Sequence, residues 1–218
     1  MIQAVIFDLD GVLVTTDDSH YLAWKQMADE EGIFFDREIN QRLRGVSRME
    51  SLEIILERAH QPYSREQKQE LAARKNGYYV ALISKLTPGA LLPGALNTVN
   101  ALRAMGIKTA IGSSSKNAPA ILRQTGIADL FDAVADGNHI KNSKPAPDVF
   151  LLAAELLGLP AGECLVVEDA DAGVEAGVNA GMMVLAVGAA AGNKKARLSA
   201  GTLEQIDLAG WVRDYNRE

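Results

Sequence analysis

Short apolar runs without polar alternation recur along the chain, and the first is Ala-Val-Ile-Phe at residues 4–7. Such a run is typical of a central parallel strand that is covered on both faces. From about residue 95 onward, similar runs alternate with segments of helical spacing, which predicts βαβ units and a parallel sheet. The later strands are predicted at Lys108–Gly112, Ala133–Ala135, Cys164–Val167 and Met183–Val187, and the helices at Ala95–Met105, Asn117–Thr125, Pro147–Leu157 and Ala172–Ala180.

A block from about residue 17 to residue 87 interrupts this alternation with a helical pattern and almost no strand pattern. Helices are predicted around Tyr21, Trp24 and Ala28, at about Met49–Ala59 and at about Arg65–Lys85, and the residues expected to cap or stop the first are Asp17, Asp18 and Gly32. We therefore predict an α/β protein with a Rossmann-like parallel-sheet core formed by residues 1–16 and 88–218. Residues 17–87 would be inserted into it as a helical-bundle cap domain.

Composition limits the choice of partner and compartment. The 218 residues are 48% apolar and carry a net charge of −6 without a basic stripe, which argues against nucleic-acid binding. The single cysteine, Cys164, excludes a disulfide within this chain and lies in a predicted buried strand, as expected in a reducing compartment. No apolar run approaches the ~18 residues of a membrane span. We expect a cytoplasmic monomer that binds a small molecule and neither a membrane nor a nucleic acid.

Reactive side chains follow four predicted strands in turn. Asp8-Leu9-Asp10-Gly11 ends the first strand, Ser113-Ser114-Ser115 ends the second, Lys144-Pro145 follows the third, and Glu168-Asp169 ends the fourth. In open parallel sheets, ligands bind at the carboxyl ends of the strands, so these segments are expected to meet. One Asp-x-Asp-Gly alone is usually a turn or a calcium-like loop, but four such elements in this order indicate a functional site.

The chemistry of these side chains indicates a metal and a phosphate. Asp8 and Asp10 are two residues apart, so their side chains leave an extended backbone on the same side. Together with the pair Glu168-Asp169 they form an all-oxygen set, which suits Mg²⁺ rather than zinc. Ser113 could hydrogen-bond phosphoryl oxygens and Lys144 could neutralise their charge. Phosphoryl transfer needs little beyond such positioning and electrostatic stabilisation.

Over essentially its whole length, the chain resembles the haloacid dehalogenase superfamily. The resemblance rests on Asp8-Leu9-Asp10-Gly11-Val12-Leu13, Ser113, Lys144-Pro145 and Glu168-Asp169. It implies a phosphotransferase in which Asp8 is the nucleophile and forms an aspartyl phosphate, while Asp10 is the general acid/base. It also implies that Ser113 and Lys144 hold the phosphoryl group, and that one Mg²⁺ per subunit is bound by Asp8, the Asp10 carbonyl, Glu168 and Asp169. The inserted helices would then be a mobile cap that excludes water.

Within that superfamily, four segments are similar to the β-phosphoglucomutase family. They are Thr16…His20…Trp24-Lys25, Arg44-Gly45-Val46-Ser47-Arg48, Arg74-Lys75-Asn76 and Ser115-Lys116-Asn117. The similarity implies interconversion of β-D-glucose 1-phosphate and D-glucose 6-phosphate through a β-glucose 1,6-bisphosphate intermediate, with glucose 1,6-bisphosphate as the priming compound. The implied substrate-binding residues are Thr16, His20, Trp24, Gly45, Val46, Arg48, Lys75, Ser115, Lys116 and Asn117.

A mutase of this kind must hold a second phosphate away from the nucleophile. Arg48 could clamp this distal phosphate bidentately, with residues 115–117 beside it. By resemblance, Thr16 would lie in a hinge, and His20 and Lys75 would link closure of the cap to correct placement of Asp10.

Plainer interpretations stand beside these roles. His20 and Trp24 could be packed residues of the cap, Arg48 a solvated residue at a helix start, and Lys75 a surface charge. The whole protein could instead be a Mg²⁺-dependent phosphatase of hexose phosphates or related small phosphates, which differs only in using water as the acceptor. A non-catalytic binding protein is a third possibility, although the acidic set that such relatives tend to lose is complete here.

Two positions depart from the family pattern. Thr15 stands where many relatives carry Asp, and Ser114 stands where a smaller Ala is common. Neither residue belongs to the expected chemistry, but the first bears on the electrostatics of the hinge.

Overall fold

The computed structural model describes residues 1–43 and 46–218 and contains one sheet of six parallel strands. The strands are β1 (Ala4–Phe7), β2 (Lys108–Gly112), β3 (Ala133–Ala135), β4 (Cys164–Glu168), β5 (Met183–Ala186) and β6 (Leu198–Ser199). Their order across the sheet is β3-β2-β1-β4-β5-β6, so the chain builds outward from β1 in both directions. The predicted α/β class with a parallel sheet is confirmed.

Between β1 and β2 the chain forms a group of helices with an apolar interior of its own. They are α1 (Asp17–Glu30), α2 (Arg37–Gln41), α3 (Arg48–Leu56) and α4 (Arg65–Ile83). Their shared cluster of buried side chains is separate from the clusters on the sheet and includes Trp24, Met27, Phe35, Leu52 and Ile55. At the end of α1, Arg74 of α4 binds Glu30 at 3.0 Å and Glu31 at 2.6 Å, which fixes these two helices against each other.

The remaining helices cover both faces of the sheet. One face packs against α5 (Ala95–Ala104), α6 (Ala118–Thr125) and α9 (Leu208–Tyr215), and the other against α7 (Asp148–Leu157) and α8 (Asp171–Asn179). On β1, Val5 and Phe7 belong to the first face and Ala4 and Ile6 to the second, and all four are fully buried. Both sides of the strand therefore need apolar residues, which is why the run shows no alternation. Cys164 is likewise a buried strand residue.

Two short segments connect the helices α1–α4 to the sheet, and they run side by side. The Thr15 amide donates to the Ala90 carbonyl at 3.1 Å, and the Leu92 amide donates to the Leu13 carbonyl at 2.9 Å. The two segments thus pair in antiparallel fashion. The chain leaves the sheet and returns to it at one place.

The structure differs from the prediction at several elements. The pattern does not predict α2, β6 or α9; the first two have only five and two residues, which is too few for a clear period. Asp17 and Asp18, predicted as caps, instead lie in the first turn of α1, and Thr16 occupies the cap position. Its side chain makes no capping bond because it is engaged elsewhere, and the two carboxylates favour the helix start through their charge.

Within the described part of the chain, no helix combines the length and the apolar character needed to cross a membrane.

Leu52→Ala tests whether the helices α1–α4 form a unit with its own core. Leu52 is completely buried in their cluster, so the change is expected to lower the free energy of unfolding by about 2–5 kcal/mol. Hydrogen exchange should increase in residues 17–83 and much less in the strands. Leu165→Ala, which is equally buried in the sheet, should show the reverse distribution. Equal loss of protection in both regions for both variants would contradict a separate unit.

Candidate active site

The carboxyl end of β1 places Asp8 in the middle of the sheet. Phe7 is paired with Val167 of β4, and the Asp8 amide donates to the Val167 carbonyl at 2.9 Å. Glu168 ends β4, so the register of the sheet brings Asp8 and Glu168 together. With Asp169 they form a cluster in which one carboxylate oxygen of each lies within 4.8 Å of the others. The cluster lies where the strand order changes direction, which is the usual ligand site of such sheets.

A buried ammonium group balances part of this negative charge. Lys144 Nζ lies 2.5 Å from Asp8 Oδ1 and 2.8 Å from Glu168 Oε2, and all three side chains are almost fully buried. Burial alone would lower the pKa of Lys144, but the charges of Asp8 and Glu168 outweigh it and raise the pKa above its usual value. The lysine therefore stays protonated at physiological pH and is available to neutralise a bound phosphoryl group.

The acidic cluster has the composition and the space to hold a cation. Lys144 pairs with two of the three carboxylates, those of Asp8 and Glu168, and burial followed by the charge of Asp8 raises the pKa of Glu168. Gly11 has a φ of 87°, and a Cβ at this position would lie 2.1 Å from Asp169 Oδ2. Only glycine leaves this carboxylate room to turn toward the cluster. An oxygen-only donor set of carboxylates fits a hard divalent cation.

The turn after β2 carries hydroxyl groups to the same end of the sheet. Ser113 is buried, and its Oγ accepts a hydrogen bond from the Ser115 amide at 3.2 Å. Ser115 Oγ accepts in turn from the Asn117 amide at 3.2 Å, which fixes the loop ahead of α6. The Asn117 side-chain amide then donates to Asn76 Oδ1 on α4 at 3.1 Å. This bond is a direct contact between the inserted helices and the loop of the sheet.

Asp10 is attached to the start of the insert. Thr16 donates a hydrogen bond to Asp10 Oδ1. Burial raises the pKa of Asp10 to about 7; the bond from Thr16 opposes this rise and the charge of Asp8 adds to it. A carboxyl group that titrates near neutral pH is suited to give and take protons during a reaction. The Asp10 side chain does not belong to the acidic cluster. The expected contact between the Asp10 backbone carbonyl and a metal stays a prediction.

Basic side chains from α1, α3 and α4 face the carboxylates across a cavity. Lys75 Nζ lies 3.0 Å from His20 Nδ1 and also sits over the rings of Trp24, at 4.7 Å, and Tyr79, at 4.5 Å. Burial and then the charge of Arg48 lower the pKa of Lys75 to about 7. Burial, followed by Lys75 and Arg48, also lowers the pKa of His20 well below its usual value. Arg48 and the partly protonated Lys75 give this side of the cavity a positive charge, which favours an anionic ligand.

The plainer interpretations fare differently. Lys75 is only 2% exposed, so the interpretation as a surface charge is wrong. Trp24 belongs to the interior of the helical group, as a packed residue would, and it also borders the cavity, so its substrate-binding role stays a prediction. Arg48 begins α3, as a helix-start residue would, but it is half-buried and borders the cavity as well.

One cavity of about 610 Å³ joins these groups, a size typical of small-molecule sites. It is lined by every candidate residue within the described part of the chain, namely Asp8, Asp10, Thr16, His20, Trp24, Val46, Arg48, Lys75, Ser113, Ser115, Lys116, Asn117, Lys144, Glu168 and Asp169. Gly45, also a candidate, lies outside the described residues. The structure thus brings the candidates together, and their individual roles stay predictions.

Two residues at the site, Tyr79 and Asn76, have no role predicted from the sequence. Tyr79 follows Lys75 by one helical turn, so the helical period could have pointed to it. Nothing in the sequence pattern indicates the bond between Asn76 and Asn117. Two buried side-chain hydroxyls in the described residues, those of Tyr79 and Ser114, have no hydrogen-bond partner.

The fold and the site agree with a comparison to known families. A family model of haloacid dehalogenase-like hydrolases matches residues 2–181. The chain belongs to this family.

The chain is also similar to individual proteins of known name and to solved structures. The chain is 48% identical over 188 residues to the β-phosphoglucomutase of Bacillus subtilis strain 168, which covers 85% of this chain and 83% of that protein. It is 32% identical over 181 residues to a fructose-1-phosphate phosphatase of Escherichia coli K12, covering 82% of this chain and 92% of that one. Among solved structures, a β-phosphoglucomutase from Clostridium difficile has a TM-score of 0.92 at 40% identity, covering 100% of this chain and 98% of that chain.

Lys75→Met is expected to stabilise the protein near neutral pH. The lowered pKa means that the folded protein binds the Lys75 proton more weakly than the unfolded chain does. The resulting destabilisation is complete below the folded pKa of about 7 and shrinks as the pH rises toward the ordinary value of 10.5. The variant should therefore gain at least about 1 kcal/mol in the free energy of unfolding at neutral pH, and less in alkaline buffer.

Denaturant unfolding at several pH values measures this gain. Lys85→Met is the control, because Lys85 is exposed just beyond the end of α4 and its loss should change stability little at any pH. A loss of stability in Lys75→Met, or a gain that grows with pH, would contradict the assignment.

Proposed function

We propose that this protein is a β-phosphoglucomutase, which interconverts β-D-glucose 1-phosphate and D-glucose 6-phosphate through a β-glucose 1,6-bisphosphate intermediate. The observation that carries the proposal is that two sets of side chains able to bind a phosphate line one cavity. Ser113 and Lys144 lie beside Asp8, whereas Arg48 and residues 115–117 form the second set. A bisphosphate intermediate needs both sets, but a monophosphate phosphatase needs only the first. The similarity to two β-phosphoglucomutases supports the same activity.

The reaction would use Asp8 and Asp10 in complementary ways. The phosphoryl group on Asp8 is transferred to the 6-hydroxyl of β-glucose 1-phosphate, and Asp10 takes the proton of that hydroxyl. The resulting bisphosphate turns around in the cavity and presents its other phosphate. Asp8 then attacks this phosphorus, the bond to the sugar oxygen breaks, and Asp10 returns its proton to the departing oxygen. A pKa of about 7 allows Asp10 to act in both directions.

We propose Mg²⁺ as the cation of the acidic cluster, held by Asp8, Glu168, Asp169 and the Asp10 carbonyl. When bound, it would supply charge stabilisation for the phosphoryl oxygens. Lys144 would support the same oxygens through its charge, and Ser113 would donate a hydrogen bond to them. The ammonium group of Lys144 and the cation would together balance the charge of Asp8 while Asp8 accepts the phosphoryl group.

We further propose that residues 17–87 act as a cap domain over residues 1–16 and 88–218. The separate apolar cluster of α1–α4 and the paired connections support such a unit. A closed cap would keep water away from phospho-Asp8, and the sugar hydroxyl would then be the better acceptor. The bond between Asn76 and Asn117 would hold the cap against the distal phosphate ligands in this state.

A product assay tests the proposal directly. The protein is incubated with β-glucose 1-phosphate, Mg²⁺ and a trace of glucose 1,6-bisphosphate, and the α anomer is run in parallel. Formation of glucose 6-phosphate from the β anomer with little free phosphate is expected. Free phosphate without isomerised sugar would make the protein a sugar-phosphate phosphatase, and no turnover of either kind would favour a binding protein.

Arg48→Ala tests the distal phosphate site. The mutase reaction is expected to lose roughly 100-fold or more in kcat/KM, because a desolvated charged contact to one phosphate is worth about 2–5 kcal/mol. Hydrolysis of an aryl phosphate, which has no second phosphate, should change far less. Arg58→Ala is the control, since Arg58 is exposed just beyond α3. Equal losses in both reactions would show that Arg48 has a structural role only.

The expectations of a monomer and of a cytoplasmic location stay predictions. The apparent mass of the purified protein in solution tests the first.

A further inference from the structure

A second lysine on the loop between β3 and α7 borders the cavity, although no role has been assigned to it above. Lys141 precedes Lys144 by three residues and lines the cavity together with Ile140 and Ser143. It is exposed, and it forms no ion pair with any residue in 1–43 or 46–218. Neither the strand-end motifs nor the segments that resemble a family include this lysine.

The carboxylates nearest to Lys141 in sequence are bound to other groups. Asp148 Oδ2 accepts hydrogen bonds from the Asn142 backbone amide at 3.0 Å and from the Asn142 side-chain amide at 3.2 Å. Asp136 Oδ1 accepts from the Asn138 backbone amide at 2.8 Å. The charge of Lys141 is therefore not neutralised within its own loop and is available to an anion in the cavity.

Contacts on both sides of this lysine hold its segment in place. The two bonds made by Asn142 attach the segment to the first turn of α7. On the other side, Asn138 Nδ2 donates to the Lys116 carbonyl at 3.0 Å, and a Cβ at Gly137 would lie 2.2 Å from the Ser114 carbonyl oxygen. The segment thus packs closely against the loop after β2. A group held in this way loses little freedom when it binds a ligand.

Lys116 on that neighbouring loop belongs to the second of the two phosphate-binding sets. It lines the same cavity and, within the described part of the chain, also forms no ion pair. Arg48 borders the cavity from α3. A phosphate group with two negative charges can accept hydrogen bonds from several cationic groups at once. The contact between the two loops therefore places Lys141 on the side of the cavity where the distal phosphate would bind.

We propose that Lys141 is a further substrate-binding residue, whose ammonium group contacts the phosphate that is held away from Asp8. Arg48 would bind this phosphate from the inserted helices, and Lys116 and Lys141 would bind it from the loops of the sheet. The phosphate at Asp8 has Lys144 as its own buried cation. The inference rests on the proposed function, because it requires a ligand that carries a phosphate at the distal position.

Lys141→Gln removes the charge and keeps a polar side chain of similar shape. While Asp8 carries the phosphoryl group, the phosphate of β-glucose 1-phosphate must occupy the distal position. Its KM should therefore rise roughly three- to tenfold, and kcat should change by less than about twofold. The KM of glucose 6-phosphate in the reverse reaction should rise by a similar factor. Lys141→Arg, which keeps the charge, should restore most of the affinity.

Two controls separate a phosphate contact from other causes. An aryl phosphate uses only the site beside Asp8, so its KM for hydrolysis should be the same in Lys141→Gln and in the unaltered enzyme. Lys194→Gln removes the same charge from another exposed lysine, which does not line the cavity, and should leave every KM unchanged.

Several results would overturn the inference. These are an unchanged KM for the hexose phosphates, a rise for only one of them, an equal rise for the aryl phosphate, an equal effect of Lys194→Gln, or a Lys141→Arg variant that binds no better than Lys141→Gln.

Failure of the mutase proposal would appear elsewhere, as free phosphate in place of isomerised sugar from the unaltered enzyme. Glucose 1,6-bisphosphate would then test Lys141 as a competitive inhibitor of aryl phosphate hydrolysis. Its inhibition constant should rise in Lys141→Gln, whereas that of inorganic phosphate should stay the same. Equal inhibition of the variant and the unaltered enzyme by the bisphosphate would overturn the inference.

Discussion

The site depends on one buried ion pair network, in which the Lys144 ammonium group lies between the carboxylates of Asp8 and Glu168. Breaking such a network by removing one partner typically costs about 3–5 kcal/mol, because a buried charge is left uncompensated. The three residues come from the end of β1, the end of β4 and a loop between β3 and α7. They meet because β1 and β4 are neighbours in register. The strand order is therefore a condition for the chemistry as much as for the fold.

The opposite side of the cavity carries basic side chains in place of carboxylates. Near the sheet, negative charges are held together by a lysine that remains protonated. On the inserted helices, Arg48, Lys75 and His20 are crowded and poorly solvated, and the pKa values of Lys75 and His20 are lowered as a result. In a molecule with a net charge of −6, Arg48 and Lys75 thus give a local positive charge at the place where a phosphate would bind. The binding of an anion there would relieve the repulsion between these two groups.

Local patterns in the sequence are enough to predict the sheet and the acidic cluster. The apolar run before Asp8 and the run before Glu168 specify buried strands, and strand ends converge in any open parallel sheet.

The position of Lys75 could not be obtained in this way, because helical spacing predicts α1 and α4 but not how they are turned toward each other. The family resemblance gave Lys75 and His20 a shared role in closure of the cap, and the structure adds the contact between them. Neither the sequence pattern nor the resemblance predicted the unpaired hydroxyl of Tyr79, because a missing hydrogen-bond partner can be seen only in the structure. The prediction of Asp17 and Asp18 as caps was wrong because the helix already begins at Asp17, which leaves Thr16 at the cap position.

The paired connections at Thr15–Ala90 and Leu13–Leu92 have a consequence for how such proteins diversify. Because the entry and the exit of the insert lie next to each other, the sheet places no demand on the size or architecture of what is attached there. A different domain joined at these two points would leave the register of β1 with β2 and β4 untouched. One contiguous exchange of sequence could therefore redirect the proposed aspartate chemistry to a new class of substrates, without any change to the groups at the strand ends.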